Sequence, residues 1–262
     1  MTSKTEPRLL CYDLGEGVTA FSTTRHGGVS EANYASFNIN PYCGDSADHV
    51  ARNRQLLADR LGLPASHIVL PHQVHGIEHR AVAPELLDMS DAVRDKILDG
   101  VDMVTTSMTG VCIGVSTADC IPVLLYDPVA RATAAIHAGW RGTLQRICQR
   151  AVMAMQLHYG TTPDRLRAVV GPGISLANFE VGQEVYDQFV QAGFDLTETA
   201  EWHTKWHLDL PGINIRELIS CGVAPEHIHH AGICTFDHAD DYFSARRLGI
   251  DSGRIYTGIL MR

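Results

Sequence analysis

Residues 121–159, IPVLLYDPVARATAAIHAGWRGTLQRICQRAVMAMQLHY, decide the fold class. Ile121 to Tyr126 and Thr133 to His137 are short apolar runs of strand length, and Asp127-Pro128 between them is a turn signal. Trp140 to Tyr159 then has the length and periodicity of a helix. The same vocabulary continues on the C-terminal side. Ala168 to Val170 reads as a strand entering Gly171-Pro172-Gly173, and Val181 to Phe194 as a helix with Val185, Phe189 and Val190 on one face. Ile213 to Cys221 is one more helix, and Tyr242 to Arg262 a closing strand or pair. On the N-terminal side, Val111–Ser116, Val101–Thr106, Ile68–Leu70 and Val18–Ser22 read as strands, the last running into the turn Arg25-His26-Gly27-Gly28. Ser46 to Leu61 is an amphipathic helix that starts at a Ser cap and stops at Gly62 and Pro64. The charged stretch from residue 80 to 98 reads as an extra helix of no legible role. These elements predict an α/β protein with a largely antiparallel or mixed sheet. No repeat or linker divides residues 1–262, so one domain is expected.

Composition narrows the function. Lys and Arg number 21 against 30 Asp and Glu, a net charge of -9, which removes the driving force for nonspecific binding of nucleic acid or anionic membrane. No apolar run reaches membrane-span length and the N-terminus has no signal core, so the expected location is cytoplasmic. Seven Cys form no CxxC pair, and 14 His hint at metal or acid–base chemistry. No stripe marks a symmetric interface, and a monomer is expected.

Three segments each set a metal-type ligand among small or turn-forming residues: Gln73-Val74-His75-Gly76, Thr117-Ala118-Asp119-Cys120-Ile121-Pro122 and Ala135-Ile136-His137-Ala138-Gly139. His75, Cys120 and His137 would suit Zn²⁺ with an open fourth position. A metal-free reading stands beside it, with an imidazole keeping Cys120 as thiolate and Asp119 tuning that imidazole. Hydrogen-bonded core histidines and a small buried thiol explain the same residues without any chemistry. Arg25 in its Gly-rich turn, and Arg141 between Gly139 and Gly142, are places where an oxyanion meets a guanidinium and backbone N–H groups. His227-Ile228-His229-His230 with Cys234 reads better as a solvent-facing loop than as a second cluster, and Trp202, His203, Trp206 and His207 as a packing stripe on a helix.

The ordered set QVHG around His75, TADC-P around Cys120 and HAGWRG around His137 resembles the YfiH, or laccase-domain, family. FSTTRHGGVS (21–30), Gly44-Asp45, Asn53-Arg54, DGVD (99–102), GPGI (171–174), FEVG (179–182), Cys234-Thr235 and FSARR (243–247) extend the likeness from about residue 18 to the C-terminus. The resemblance implies a single α/β domain of mixed α+β, sandwich-like layers. It also implies a purine nucleoside phosphorylase cleaving adenosine, inosine, guanosine and methylthioadenosine with phosphate, with adenosine deamination as a second activity. The implied cofactor is zinc, with copper possible under the family's polyphenol oxidase label, and the implied ligands are His75, Cys120 and His137. Phosphorolysis needs a dianion site, for which Arg25 leads and Arg141 and Arg246 follow. Cys120, His137, His75 and Asp119 are the expected catalytic residues, serving as proton carriers or metal ligands. The expected partners are small nucleosides and phosphate. Competing readings are a peptidoglycan-precursor editing hydrolase, a copper-dependent oxidase and a non-enzymatic scaffold.

Overall fold

The structure, a computed structural model, describes residues 6–262. At its centre is the predicted hairpin, in which Ile121–Asp127 and Ala132–Ala138 pair antiparallel from Ile121↔Ala138 to Asp127↔Ala132. They occupy the middle of a six-stranded sheet ordered Ile228–His230, Arg167–Val170, Ile121–Asp127, Ala132–Ala138, Met103–Thr106, His79–Ala81. The outermost pair on each edge is parallel and the interior antiparallel, so the sheet is mixed. A five-stranded sheet runs Leu9–Tyr12, Val18–Thr23, Ile255–Met261, Cys112–Thr117, Ile68–Val69.

Period-two alternation along the central strands explains how the layers stack. Leu124, Tyr126 and Ala135 share one core with Ile113, Val115 and Ile259 of the other sheet. Their neighbours Val123, Leu125, Ala134 and Ile136 share a second core with Ile147, Ala151, Val152 and Met155 of the helix Ile147–Tyr159. A third core joins Phe21, Cys112, Tyr256 and Leu260 to Leu56, Leu57 and Leu61 of the helix Ala47–Leu61. The layers are therefore helix, sheet, sheet, helix. Both central strands are buried along their whole length, and they read as continuous apolar runs for that reason.

Local differences from the sequence reading have identifiable causes. The helix expected over Trp140 to Tyr159 is two, Trp140–Leu144 and Ile147–Tyr159, broken at Arg146 with φ 61°. The break lets the Arg146 guanidinium pair with Glu217 at 2.5 Å and lie over the Phe194 ring. Trp202 and Trp206 lie on no helix. They face each other across the hairpin of Ala200–Trp202 and Trp206–Leu208, a cross-strand pairing that mimics i, i+4 spacing. The histidine-rich segment expected as a loop is likewise ordered as strand, since Ile228–His230 adds a parallel edge beside Arg167–Val170. Residues 80–98 hold two short helices, Pro84–Asp88 and Asp91–Leu98. The helix expected over Val181 to Phe194 is shorter, Gln183–Gln191, because Glu180–Val181 pairs with Trp206–Leu208 as strand.

Candidate active site

The strand Cys112–Thr117 belongs to one sheet and Ile121–Asp127 to the other, and Cys120 stands on the short crossover between them. The crossover is sharp, with Asp119 at φ 89°. His137 is the partner of Pro122 in the central hairpin, which brings it beside Cys120. His75 arrives on the loop after Ile68–Val69, in a left-handed conformation (φ 63°). Gln73 clamps that loop to the first sheet, donating from Nε2 to Ser116 O at 2.8 Å and accepting from Ser116 N at 2.8 Å.

The ligand atoms of His75, Cys120 and His137 all lie within 4.8 Å of one another, and this is the one group of three or more His, Cys, Asp or Glu among the described residues placed to hold a metal. A Cβ on Gly139 would stand 3.0 Å from His75 Cδ2 and 3.1 Å from Cys120 Sγ. Glycine there leaves the three side chains the space a cation would occupy between them. With two imidazoles and a thiolate, the donors fit zinc or another borderline transition metal.

Behind the triad sits a residue that sequence reasoning quoted but gave no role. Asp102 is fully buried. Its Oδ1 accepts from His137 Nδ1 at 2.7 Å and from His75 N at 3.0 Å, while Oδ2 accepts from Gly76 N at 2.7 Å and Val74 N at 3.2 Å. One carboxylate thus fixes the His137 ring, leaving Nε2 toward Cys120, and the backbone that carries His75. The signal that could have found it is a carboxylate between Val101 and Met103 at the start of a buried strand.

Electrostatics follow from these contacts. Burial disfavours the Cys120 thiolate, but the charge and hydrogen bonds of His137, with those of His75, outweigh it and bring the thiol down to about 6. Burial likewise disfavours the His137 imidazolium, and the Cys120 thiolate and Asp102 carboxylate carry it up to about 9. Metal-free protein therefore holds a thiolate–imidazolium pair between those limits. Absorbance of thiolate at about 240 nm in chelated protein is expected to rise with a midpoint near pH 6 and to be missing from Cys120→Ala; a midpoint above 8 would refute the pairing.

The triad closes one end of a cavity of about 530 Å³, also walled by Tyr42, His72, Thr117, Phe179, Arg246 and Arg254. Of the three arginines expected at an anion, Arg246 alone is in that wall. Arg25 is spent elsewhere, donating to Ala35 O at 2.8 Å and Ala239 O at 2.6 Å with its guanidinium over Phe243. Arg141 lies over the neighbouring Trp140 ring, outside the wall. Asp119 is in the wall, but its oxygens accept from Thr235 Oγ1 at 2.7 Å and Arg246 N at 2.7 Å, so it ties the crossover to the C-terminal segment and leaves the imidazoles to Asp102.

The family model described as multi-copper polyphenol oxidoreductase laccase matches residues 19–262. The chain belongs to this laccase-like, YfiH family. It is 44% identical to a purine nucleoside phosphorylase of Bacteroides thetaiotaomicron over 93% of this chain and 92% of the relative. It is 40% identical to adenosine deaminase RL5 of an unknown prokaryotic organism, over 93% and 94% of the two chains. A crystal structure of the Bacillus licheniformis hypothetical protein YfiH superposes with a TM-score of 0.90 at 28% identity, covering 98% of this chain and 97% of that one. The mixed α/β architecture read from the sequence is the architecture of the family. No helix of the described residues is long and apolar enough to cross a membrane.

Proposed function

We propose that this laccase-like family member is a purine nucleoside phosphorylase, cleaving adenosine, inosine, guanosine and methylthioadenosine with phosphate, and that it deaminates adenosine at the same site. The observation that carries the reading is the His75, Cys120 and His137 cluster opening into a cavity of about 530 Å³, within the usual range for a small ligand, in a chain whose relatives bear these names. Zinc held by these three residues would supply Lewis acidity and an open coordination position. The chain's own groups do the rest. Asp102 keeps the His137 ring in one tautomer. Phe179 and Ile174 give the cavity an apolar wall for the nucleoside to lie against. Arg246, hydrogen-bonded to Glu180 O at 3.2 Å and paired with no carboxylate among the described residues, neutralises the phosphate dianion in the place first assigned to Arg25.

Adenosine incubated with purified protein, with and without phosphate, tests this directly when products are separated by liquid chromatography and metal is measured in the same batch. Adenine and ribose 1-phosphate that appear only with phosphate are expected, with a smaller yield of inosine that needs none. Protein carrying about one metal per chain and yielding neither product would overturn the nucleoside reading, and peptidoglycan precursors would be tested next.

A further inference from the structure

His72 is three positions before His75, and its ring is in the wall of the same cavity. The backbone holds it from both sides: His72 N donates to Leu98 O at 3.0 Å, and Gly100 N donates to His72 O at 2.9 Å. The side chain is held as firmly. His72 Nδ1 lies 2.6 Å from Asp99 Oδ1, and the Tyr42 ring packs against the imidazole with centroids 4.4 Å apart. Asp99 is outside the cavity wall. An imidazole whose Nδ1–H is given to a carboxylate is held in one ring orientation with Nε2 left for a ligand, and in its protonated form Nε2 carries an N–H as well.

Departure of a purine from C1′ needs a proton donor, and the other wall residues are committed. His75, Cys120 and His137 form the proposed metal set. Asp119 accepts from Thr235 and from the Arg246 amide. Burial pushes the Tyr42 phenol and the Cys43 thiol up, making each a poorer acid at neutral pH. Arg254 donates to the carbonyls of Ser252, Gly253 and Ile250. The His72 imidazole is the remaining wall group that can give and take back a proton at a free nitrogen.

We propose that His72, oriented by Asp99 and Tyr42, is the general acid that protonates the departing purine. The inference rests on the phosphorylase reading. As a phosphate oxygen bonds to C1′, the C1′–N9 bond breaks with its electron pair passing to the purine, and His72 Nε2–H delivers a proton to N7. Hydrogenphosphate enters with one proton and leaves as an ester dianion with none. That proton restores His72, so the enzyme ends each turnover unchanged.

Guanosine and 7-methylguanosine separate this role from a structural one, because the methylated purine is already cationic and leaves without being protonated. In His72→Gln, kcat for guanosine phosphorolysis is expected to fall about 100-fold, the usual scale of general acid catalysis, while 7-methylguanosine changes by less than about threefold. Asp99→Asn, which removes the charged partner of His72 Nδ1 and leaves the cavity wall intact, is expected to show the same selectivity with a smaller loss. Equal losses on both substrates, or no loss on guanosine, overturn the assignment of His72 alone. Wild-type protein that splits neither nucleoside overturns the phosphorylase reading and this inference with it.

Discussion

Cys120→Ala is expected to give a folded protein that no longer retains a metal and turns over adenosine at least roughly a thousandfold more slowly, equivalent to about 4 kcal/mol of barrier. Removing Sγ leaves two imidazoles, too few to hold a borderline cation against buffer, and it also removes the thiolate that keeps His137 charged. The backbone has little reason to change. Cys120 is only half-buried, and Asp102 still anchors both His137 and the His75 loop. Metal content by mass spectrometry should drop from about one per chain to below a tenth, and chelated wild type and variant should melt within about 5 °C of each other. Comparison after chelation matters, since a ligand bound only by the native state raises the melting temperature by mass action. Normal turnover in the variant would sink the assignment of Cys120.

Asp102→Asn should damage stability and metal binding together. The carboxylate accepts four hydrogen bonds, two on each oxygen, from His137 Nδ1 and the amides of Val74, His75 and Gly76. An amide replaces one oxygen with a donor, which then faces N–H groups with nothing to accept them. Two orphaned buried donors cost roughly 2–6 kcal/mol, at about 1–3 each. In a chain of this length that lowers the melting temperature by about 4–24 °C, at roughly 2–4 °C per kcal/mol. Loss of the partner that orients a metal-bound histidine should weaken metal affinity a further 10- to 100-fold, on the order seen for such contacts. Acid separates the two causes. Burial alone would raise the Asp102 carboxyl, but His137 and the backbone amides outweigh it and hold it below the usual carboxylate range. A depressed native pKa contributes stability that is full above the unfolded value and is lost as pH falls through the native one. The gap in melting temperature between wild type and Asp102→Asn should therefore be widest near pH 7 and shrink below about pH 4. A gap independent of pH would show that the charge of Asp102 is not what stabilises the loop.

The triad and the central hairpin were legible in the sequence because both are written locally: apolar runs bounded by turn residues, and ligand-type side chains beside glycine. What escaped is what the fold brings together from afar. Asp102 touches His137 across 35 positions of chain, and Thr235 reaches Asp119 across 116. Arg25 shows the converse. Its glycine-rich turn looked like an anion cradle, but a Cβ on Gly27 would meet Glu6 O and Pro7 Cα, so these glycines permit backbone to pass backbone. Nothing local distinguishes a glycine that admits a phosphate from one that admits a neighbouring strand. The tryptophan pair failed for a related reason, since a tight hairpin and one helical turn place side chains four apart in similar contact.

The cavity is walled by Asn40 and Tyr42 from early in the chain, by Thr117, Cys120 and His137 from its middle, and by Arg246 and Arg254 from near its end. Arg254 N donates to Asn38 Oδ1 across 216 positions, closing that ring of segments. Such high contact order makes assembly of the pocket slow, because loop-closure entropy has to be overcome before any wall meets another. No folding intermediate that lacks either end of the chain can possess the site. Because the metal ligands and Asp102 all come from residues 75–137, metal uptake during refolding times assembly of the middle of the chain, and turnover, which needs Arg246 in the wall, times the last step.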